Sequence, residues 1–548
     1  MKKLIDKTLF ISNFRRKIAV ELIILLFFSL TTFLYFWPVV THFTSYLPGN
    51  QDELFITFAI TQMARKFPQP PNQLFDSGIF YPATQSQAFS DLFITSGIIA
   101  KPFLAYFKEP VAAFNSVLLI GQILTLWGSY LLLNKLSKDR ITAVLFSLIF
   151  SFSLIHLHYI SHLHTFFIGL APLSGWLLLK WIESKKNYWL YLWFLILGLQ
   201  TINSPLPAYF ILYLAIFIFW LKPKAIEILW ENKKHVLIIS LGSLILFYPY
   251  LSAYFSVSRQ YDYHRSLSEV VHFSLSPEQL FGSFFSPVLY FLFVLLFLLT
   301  IFKREIEEMK IYLIAMLVSL LLSLGPVLHW MGKTVKIPFP IPLPYLLLYY
   351  IVPGFNCFRT PSRWLVMFAL FAVMFSVLAW AKLFTNKKLK IFSSFVVLIF
   401  IVLLTPQYNS YVKVTSLNQA PPIYQWLRYQ PQQVVVELPM AAWDKGEQTK
   451  QEIMRMYWSL YHGKKLVNGY SGYFPQSYLY LTSLTQQQFP NQSSIEALQN
   501  SGAELLLVNL EQYGDKANFY KNQIYLYLGE PNFELDHTMV YKLPLSQQ

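Results

Sequence analysis

The side chains from which chemistry could be built fall into a few groups along the chain. Asp52 and Glu53 stand together in GNQDE, and Asp91 follows Ser90 in FSDLF. Two carboxylates converging on one cavity could take the proton from an acceptor hydroxyl or hold a divalent cation. The plainer reading of both aspartates is helix capping, because each opens an apolar stretch at helical spacing. Arg359 and Arg363, in CFRTPSRW, flank a turn that could aim both guanidiniums at one phosphate. Interfacial snorkelling is their plainer reading. Arg259, His264 and Arg265, in SRQYDYHRS, make a second basic group open to the same two readings. His156, His158, His162 and His164 crowd SLIHLHYISHLHTFF. Imidazoles two and four apart converge on a metal where the backbone bends, contact phosphate or substrate, or serve only as hydrogen-bonding structure. No acidic residue lies near them in sequence, so a metal there would need Asp52 or Asp91 to complete it.

What must position these groups is a membrane. The chain is 55% hydrophobic, 18% aromatic and 13% charged, with a mean hydropathy of +0.43, far from a water-soluble average. Apolar segments at 18–40, 111–134, 141–155, 165–181, 188–203, 207–221, 235–255, 286–302, 311–328, 364–381 and 391–405 predict about eleven transmembrane helices, within a range of about ten to thirteen. The first is too long, and lacks the small-residue cleavage site, to be a removable signal. Net charge is +15, yet the basic residues are confined to alternate breaks, such as Arg15 to Lys17, Lys135 with Arg140, and Lys387 with Lys390. That is a topology signal and argues against nucleic acid as a partner. It predicts a multi-pass protein of the plasma or inner membrane, with a cytoplasmic N-terminus and an extracytoplasmic C-terminal tail. Cys357 is the only cysteine, which rules out an intrachain disulfide and a cysteine metal cage.

On this topology the acids lie in the longest exported break, 41–110, which is too apolar and aromatic for disorder. DELFITFAITQMARKF and DLFITSGIIAKPFLAYF within it predict two interfacial helices, started by Asp52 and by Ser90–Asp91. Residues 1–405 thus form a transmembrane domain that includes this loop, and 406–548 form a soluble α/β domain. In the latter VVVEL, ELLLVNL and IYLYLG predict strands, while IYQWLRYQ, EQTKQEIMRMYWSLYH and SSIEALQN predict helices. With no phosphate-binding glycine loop and no nucleophile elbow, it reads as an acceptor-recognition or lid domain.

The order of a first span, a long exported loop with an early aspartate, FYP (Phe80 to Pro82), Ser90–Asp91 and a span ending in a basic break resembles the C-type (GT-C) superfamily of membrane glycosyltransferases. More narrowly it is similar to a bacterial group related to the YfhO-like and dolichyl-phosphate-mannose-type transferases. PLPYLLLYYIVPGFNCFRTPSRW, and VVVELP and VNGYSGYFP of the tail, extend the resemblance over nearly the whole chain. It implies inverting transfer of a sugar from a polyprenyl-phosphate donor to a cell-envelope glycan, lipid or protein acceptor on the outer face of the membrane. It also implies an aspartate base in the first exported loop, which Asp52 matches best, and a second loop acid at Asp91. GNQDE departs from the tight acid pair of the commonest pattern, leaving the base between Asp52 and Glu53. A divalent cation is the one cofactor to consider. Two other readings stand beside this: a transporter or flippase of lipid-linked sugars, and a non-catalytic scaffold of the same shape. A flippase predicts charges buried in mid-span and internal repeats, neither of which is evident.

Overall fold

A computed structural model describes residues 2–303, 306–442 and 446–544, with side chains from residue 15 onward and without that of residue 308. The eleven apolar segments are largely helical, although 18–40, 141–155 and 165–181 are each interrupted and 311–328 leaves its helix at Ser323. Among the described residues five helices are long and apolar enough to cross a membrane: Arg15–Tyr35, Pro110–Ser137, Leu163–Ser184, Lys233–Tyr261 and Pro361–Leu383. Pro205–Leu221 with Lys224–Glu231, bent by 109°, makes a sixth if taken as one span. Arg140–Ser151, Pro287–Phe302 and Lys310–Ser323 are shorter apolar helices. The chain is a membrane protein, and it divides into two compact units.

The first unit comprises 1–41, 118–246 and 264–409. Its centre is the helix Leu365–Leu383, buried on every side from Leu365 to Val377, as expected of an apolar helix with no polar face. Arg140–Ser151, Pro287–Phe302 and Lys310–Ser323 pack around it. Ion pairs tie the basic breaks to one another: Arg140 to Glu21 at 2.9 Å, Lys390 to Asp139 at 2.9 Å and Lys135 to Glu183. The other set of breaks is knitted by backbone contacts instead. The Arg265 amide donates to Asn356 O at 3.0 Å, the Leu275 amide to Ser323 O at 2.9 Å, and Tyr349 Oη to Arg265 O at 2.5 Å.

The second unit comprises 42–117, 247–263 and 410–548. The long first loop therefore folds with the tail, which differs from a division that keeps the loop with the spans. The cause is visible in the pairing. A five-stranded sheet runs in the order β2-β1-β3-β5-β4, with β1 at Val434–Leu438, β2 at Lys465–Leu466, β3 at Leu505–Asn509, β4 at Phe533–Leu535 and β5 at Thr538–Lys542. β1 is parallel to β2 and β3, while β5 is antiparallel to β3 and β4. Every residue of β1 is buried, as in a strand covered on both faces. The loop continues the edge at β2. The Leu466 amide donates to Gly78 O at 2.8 Å, the Tyr81 amide to Leu466 O at 2.9 Å and the Phe80 amide to Asn468 O at 3.1 Å. Edge groups left open would demand partners, and FYP supplies them.

Three local readings of the tail and loop are corrected. IYLYLG lies in a helix, Ala517–Leu528, ending at Gly529. Its alternation suggested a strand, but Ile524 alone is buried, whereas a core strand would bury alternate residues. The helix Asp52–Lys66 does not lie on a surface: eleven of its residues are buried, and it packs against Ile94–Phe107 and the tail helix Glu447–His462. Neither aspartate is a cap. Gln51 caps the first helix, with Asp52 as its first residue, and the second helix begins at Ile94 behind Phe93, beyond Asp91.

Candidate functional site

The acids belong to the second unit. Asp52, partly exposed, accepts a hydrogen bond from Tyr470 Oη on Oδ1 at 3.2 Å. Glu53 is only 5% exposed and folds back beneath the preceding turn, its Oε2 accepting from the Gln51 amide at 3.2 Å. Gly49, at a φ of +146°, makes this possible: a Cβ there would stand 2.3 Å from a Glu53 carboxylate oxygen. Glu53 thus has a structural duty while Asp52 stays partly open, and both acids complement the positive end of the helix dipole. Asp91 is partly exposed and its backbone carbonyl accepts from Gln87 Nε2 at 3.5 Å. The adjacent Ser90 carbonyl accepts from Tyr254 Oη at 3.2 Å. Asp76 pairs with Lys465 at 3.3 Å, a loop-to-tail strut.

The histidines and the CFRTPSRW arginines belong to the first unit, and the structure brings several together. The break 152–169 folds as two single-turn helices, Leu154–Leu157 and Leu163–Phe166, and a single 3-10 turn, Pro361–Trp364, leads into the central helix. His164, 7% exposed, has Arg363, His162 and Arg359 as neighbours. The His162 and His164 ring centroids are 5.7 Å apart. Tyr159 is buried beside Arg363 and Ser362, and burial raises its phenol. Arg359 lies over the Phe273 ring at 4.6 Å. The result is a basic cluster at the N-terminal end of the helix Leu365–Leu383. Cations are disfavoured by the dipole at such an end, whereas an anion is favoured by both.

Other members of the sequence groups do not join it. His156 is fully buried, with Nδ1 2.9 Å from Ser151 O and Nε2 2.9 Å from Phe166 O, stacked on the Phe166 ring at 4.4 Å. It ties the ends of the break together. His158 is exposed and rests 4.5 Å from the Phe284 ring. Arg265 is 5% exposed and paired with Glu269 at 2.9 Å. His264 beside it is exposed, and Arg259, also exposed, belongs to the second unit. Among the described residues no three of His, Cys, Asp and Glu gather as a metal-ligand set.

The tail holds a charged cluster that sequence reading missed. Arg455, 2% exposed, meets Glu452 Oε1 at 2.8 Å and Glu437 Oε2 at 3.3 Å, and both carboxylates are buried. Burial raises Glu452 to about 7 and also raises Glu437, against the opposing pull of Arg455. Asn468 Nδ2 donates to Glu452 Oε2 at 3.1 Å, and Tyr424 Oη donates to Glu437 Oε2 at 3.0 Å. The spacing of Glu452 and Arg455 in EQTKQEIMRMYWSLYH, three apart on one helix face, was the available signal.

No protein-family model and no curated protein sequence matches the chain. Among solved structures it is similar to the oligosaccharyltransferase of Archaeoglobus fulgidus in complex with Zn and sulfate, at 12% identity and a TM-score of 0.48, over 92% of this chain and 69% of that one. It is also similar to the archaeal oligosaccharyltransferase AglB from Archaeoglobus fulgidus in complex with an inhibitory peptide and a dolichol-phosphate. There the identity is 12% and the TM-score 0.49, over 93% of this chain and 71% of that one.

Proposed function

We propose that this protein is a GT-C-type membrane glycosyltransferase, moving a sugar from a polyprenyl-phosphate donor to a cell-envelope glycan, lipid or protein acceptor on the outer face of the membrane. Arg359, Arg363, His162 and His164 hold the donor phosphate, and Asp52 is the base that takes the acceptor proton. The observation that carries the reading is the basic cluster. Side chains nearly two hundred residues apart in sequence converge at one helix N-terminus. A phosphate in that position meets charge, guanidinium geometry and dipole together.

The chemistry needs charge stabilised at two atoms. The leaving phosphate oxygen gains negative charge as the bond to the sugar anomeric carbon breaks, and fixed cations stabilise it there. The acceptor hydroxyl becomes a better nucleophile as its proton passes to a carboxylate. Asp52, which is partly exposed, suits that task better than Glu53, which is buried. Asp91 is the second acid. In this reading the protein crosses the membrane about eleven times, with the N-terminus cytoplasmic and the C-terminal domain, 406–548, extracytoplasmic.

A transfer assay in lipid, with a panel of polyprenyl-phosphate sugars as donors and membrane extract as acceptor, tests the reading. Wild-type turnover that is lost in Asp52→Asn, with folding unchanged, is the expected result. Full activity in that variant removes Asp52 from the role, and no turnover with any donor favours a flippase or a scaffold.

A further inference from the structure

The segment Asn468–Pro475 is built more rigidly than a surface loop requires. Asn468 is fully buried: its Oδ1 accepts from the Glu437 amide at 2.7 Å and its Nδ2 donates to Glu437 O at 2.9 Å. Gly469 lies against Phe80, where a Cβ would come 2.8 Å from the ring, so the close approach demands glycine. Tyr470 packs edge-on against Phe55 at 5.5 Å and Phe474 at 5.9 Å, with its hydroxyl on Asp52. Tyr473 lies 4.8 Å from the Tyr263 ring and 5.5 Å from Phe89, and its hydroxyl donates to Tyr261 O at 3.1 Å. Phe80, Phe89, Phe474 and Tyr478 are buried beneath, whereas Tyr470, Tyr473, Tyr261 and Tyr263 remain partly exposed.

An apolar core would bury these four rings, and an ordinary loop would not lock two of their hydroxyls. Three residues of chain span at most about 11 Å, so the open rings of Tyr470 and Tyr473 lie within reach of one or two sugar rings. A pyranose has an apolar C–H face and a rim of hydroxyls. It matches an aromatic platform bordered by a carboxylate, the same pairing of apolar body and polar edge that tyrosine itself carries.

We propose that Tyr470, Tyr473, Tyr261 and Tyr263 form a pyranose-binding subsite beside Asp52, and that Tyr470 is a positioning residue for the Asp52 carboxylate. The second half rests on Asp52 as the base; the first does not. The sugar bound there belongs either to the donor or to the acceptor.

Saturation-transfer NMR on the full-length protein in nanodiscs, with methyl pyranosides of glucose, galactose, mannose and N-acetylglucosamine as probes, tests the subsite without needing turnover. Binding of at least one probe is expected, weakened about tenfold by Tyr473→Leu and retained by Tyr473→Phe, which keeps the ring. No binding to wild type, or equal binding to Tyr473→Leu, overturns the subsite. Where turnover is measurable, Tyr473→Leu raises KM for the donor if the platform holds the donor sugar, and for the acceptor if it holds the acceptor sugar; an unchanged KM for both overturns it. Tyr470→Phe removes one donor from the carboxylate, so kcat falls about tenfold and the acidic limb of the pH–rate profile moves to higher pH. A merely structural tyrosine would leave that limb in place. Wild-type transfer that depends on Asp52 but not on Tyr470 or Tyr473 would leave the transferase reading standing and this inference refuted.

Discussion

Two charge clusters in this chain are solved in opposite ways. In the tail, Arg455 is enclosed with Glu437 and Glu452, and Tyr424 and Asn468 donate to the two carboxylates. Each ion there has an internal counter-ion, so the cluster asks nothing of a ligand. In the bundle, His164 lies with Arg363, His162 and Arg359, gathered at a helix end where cations are least welcome. On the proposed function, the first pattern serves folding and the second serves anion binding, and substitutions should separate them.

The largest effect falls on Asp52, which lies outside both clusters. Asp52→Asn should lower transfer about 1,000-fold while leaving thermal unfolding unchanged, read by parallel turnover and melting measurements. Next comes the tail. Arg455→Met leaves two carboxyl groups buried without their cation and should destabilise the protein by about 4 kcal/mol, seen as a lowered unfolding midpoint of the full chain. If the midpoint hardly moves, the tail cluster is not the self-contained structural unit described here.

A pH comparison sharpens the same contrast. Glu452 binds its proton more tightly folded, at about 7 against 4.5 unfolded. Its contribution is therefore complete below about pH 4.5 and is lost as pH rises towards 7. His462, lowered by burial to about 3, works the other way, since its contribution is lost as pH falls below 6.5. The difference between wild type and Glu452→Gln isolates the first of these: wild type should lose stability relative to the variant between pH 5 and 7, and run parallel to it above pH 8. The smallest effect is expected in the bundle. Arg363→Ala should raise KM for a polyprenyl-phosphate sugar about tenfold with little change in unfolding, and Arg363→Lys should restore part of it, because lysine keeps the charge but loses the fork.

The sequence made much of this legible, because apolar length and helical spacing are local properties. The eleven apolar segments are largely helical, and VVVEL and ELLLVNL fall on core strands. What it could not show are pairings between distant segments. FYP and VNGYSGYFP were visible as motifs, but nothing local reveals that Phe80 packs under Gly469 or that Tyr470 reaches Asp52. The histidines illustrate the same limit. Four imidazoles within nine residues share one look, yet His156 is clamped between carbonyls, His158 is exposed, and only His162 and His164 join the arginines. Their separation depends on how the break turns, which no spacing rule encodes.

The central claim is that the basic cluster holds a lipid-linked phosphate for chemistry begun by Asp52. Single-turnover transfer and donor binding should be measured together, in nanodiscs, for wild type, Asp52→Asn and the double variant Arg359→Ala/Arg363→Ala. The account predicts that Asp52→Asn binds donor like wild type without transferring it, while the double arginine variant loses donor affinity. Donor affinity that survives loss of both arginines, or transfer that survives in Asp52→Asn, would contradict it.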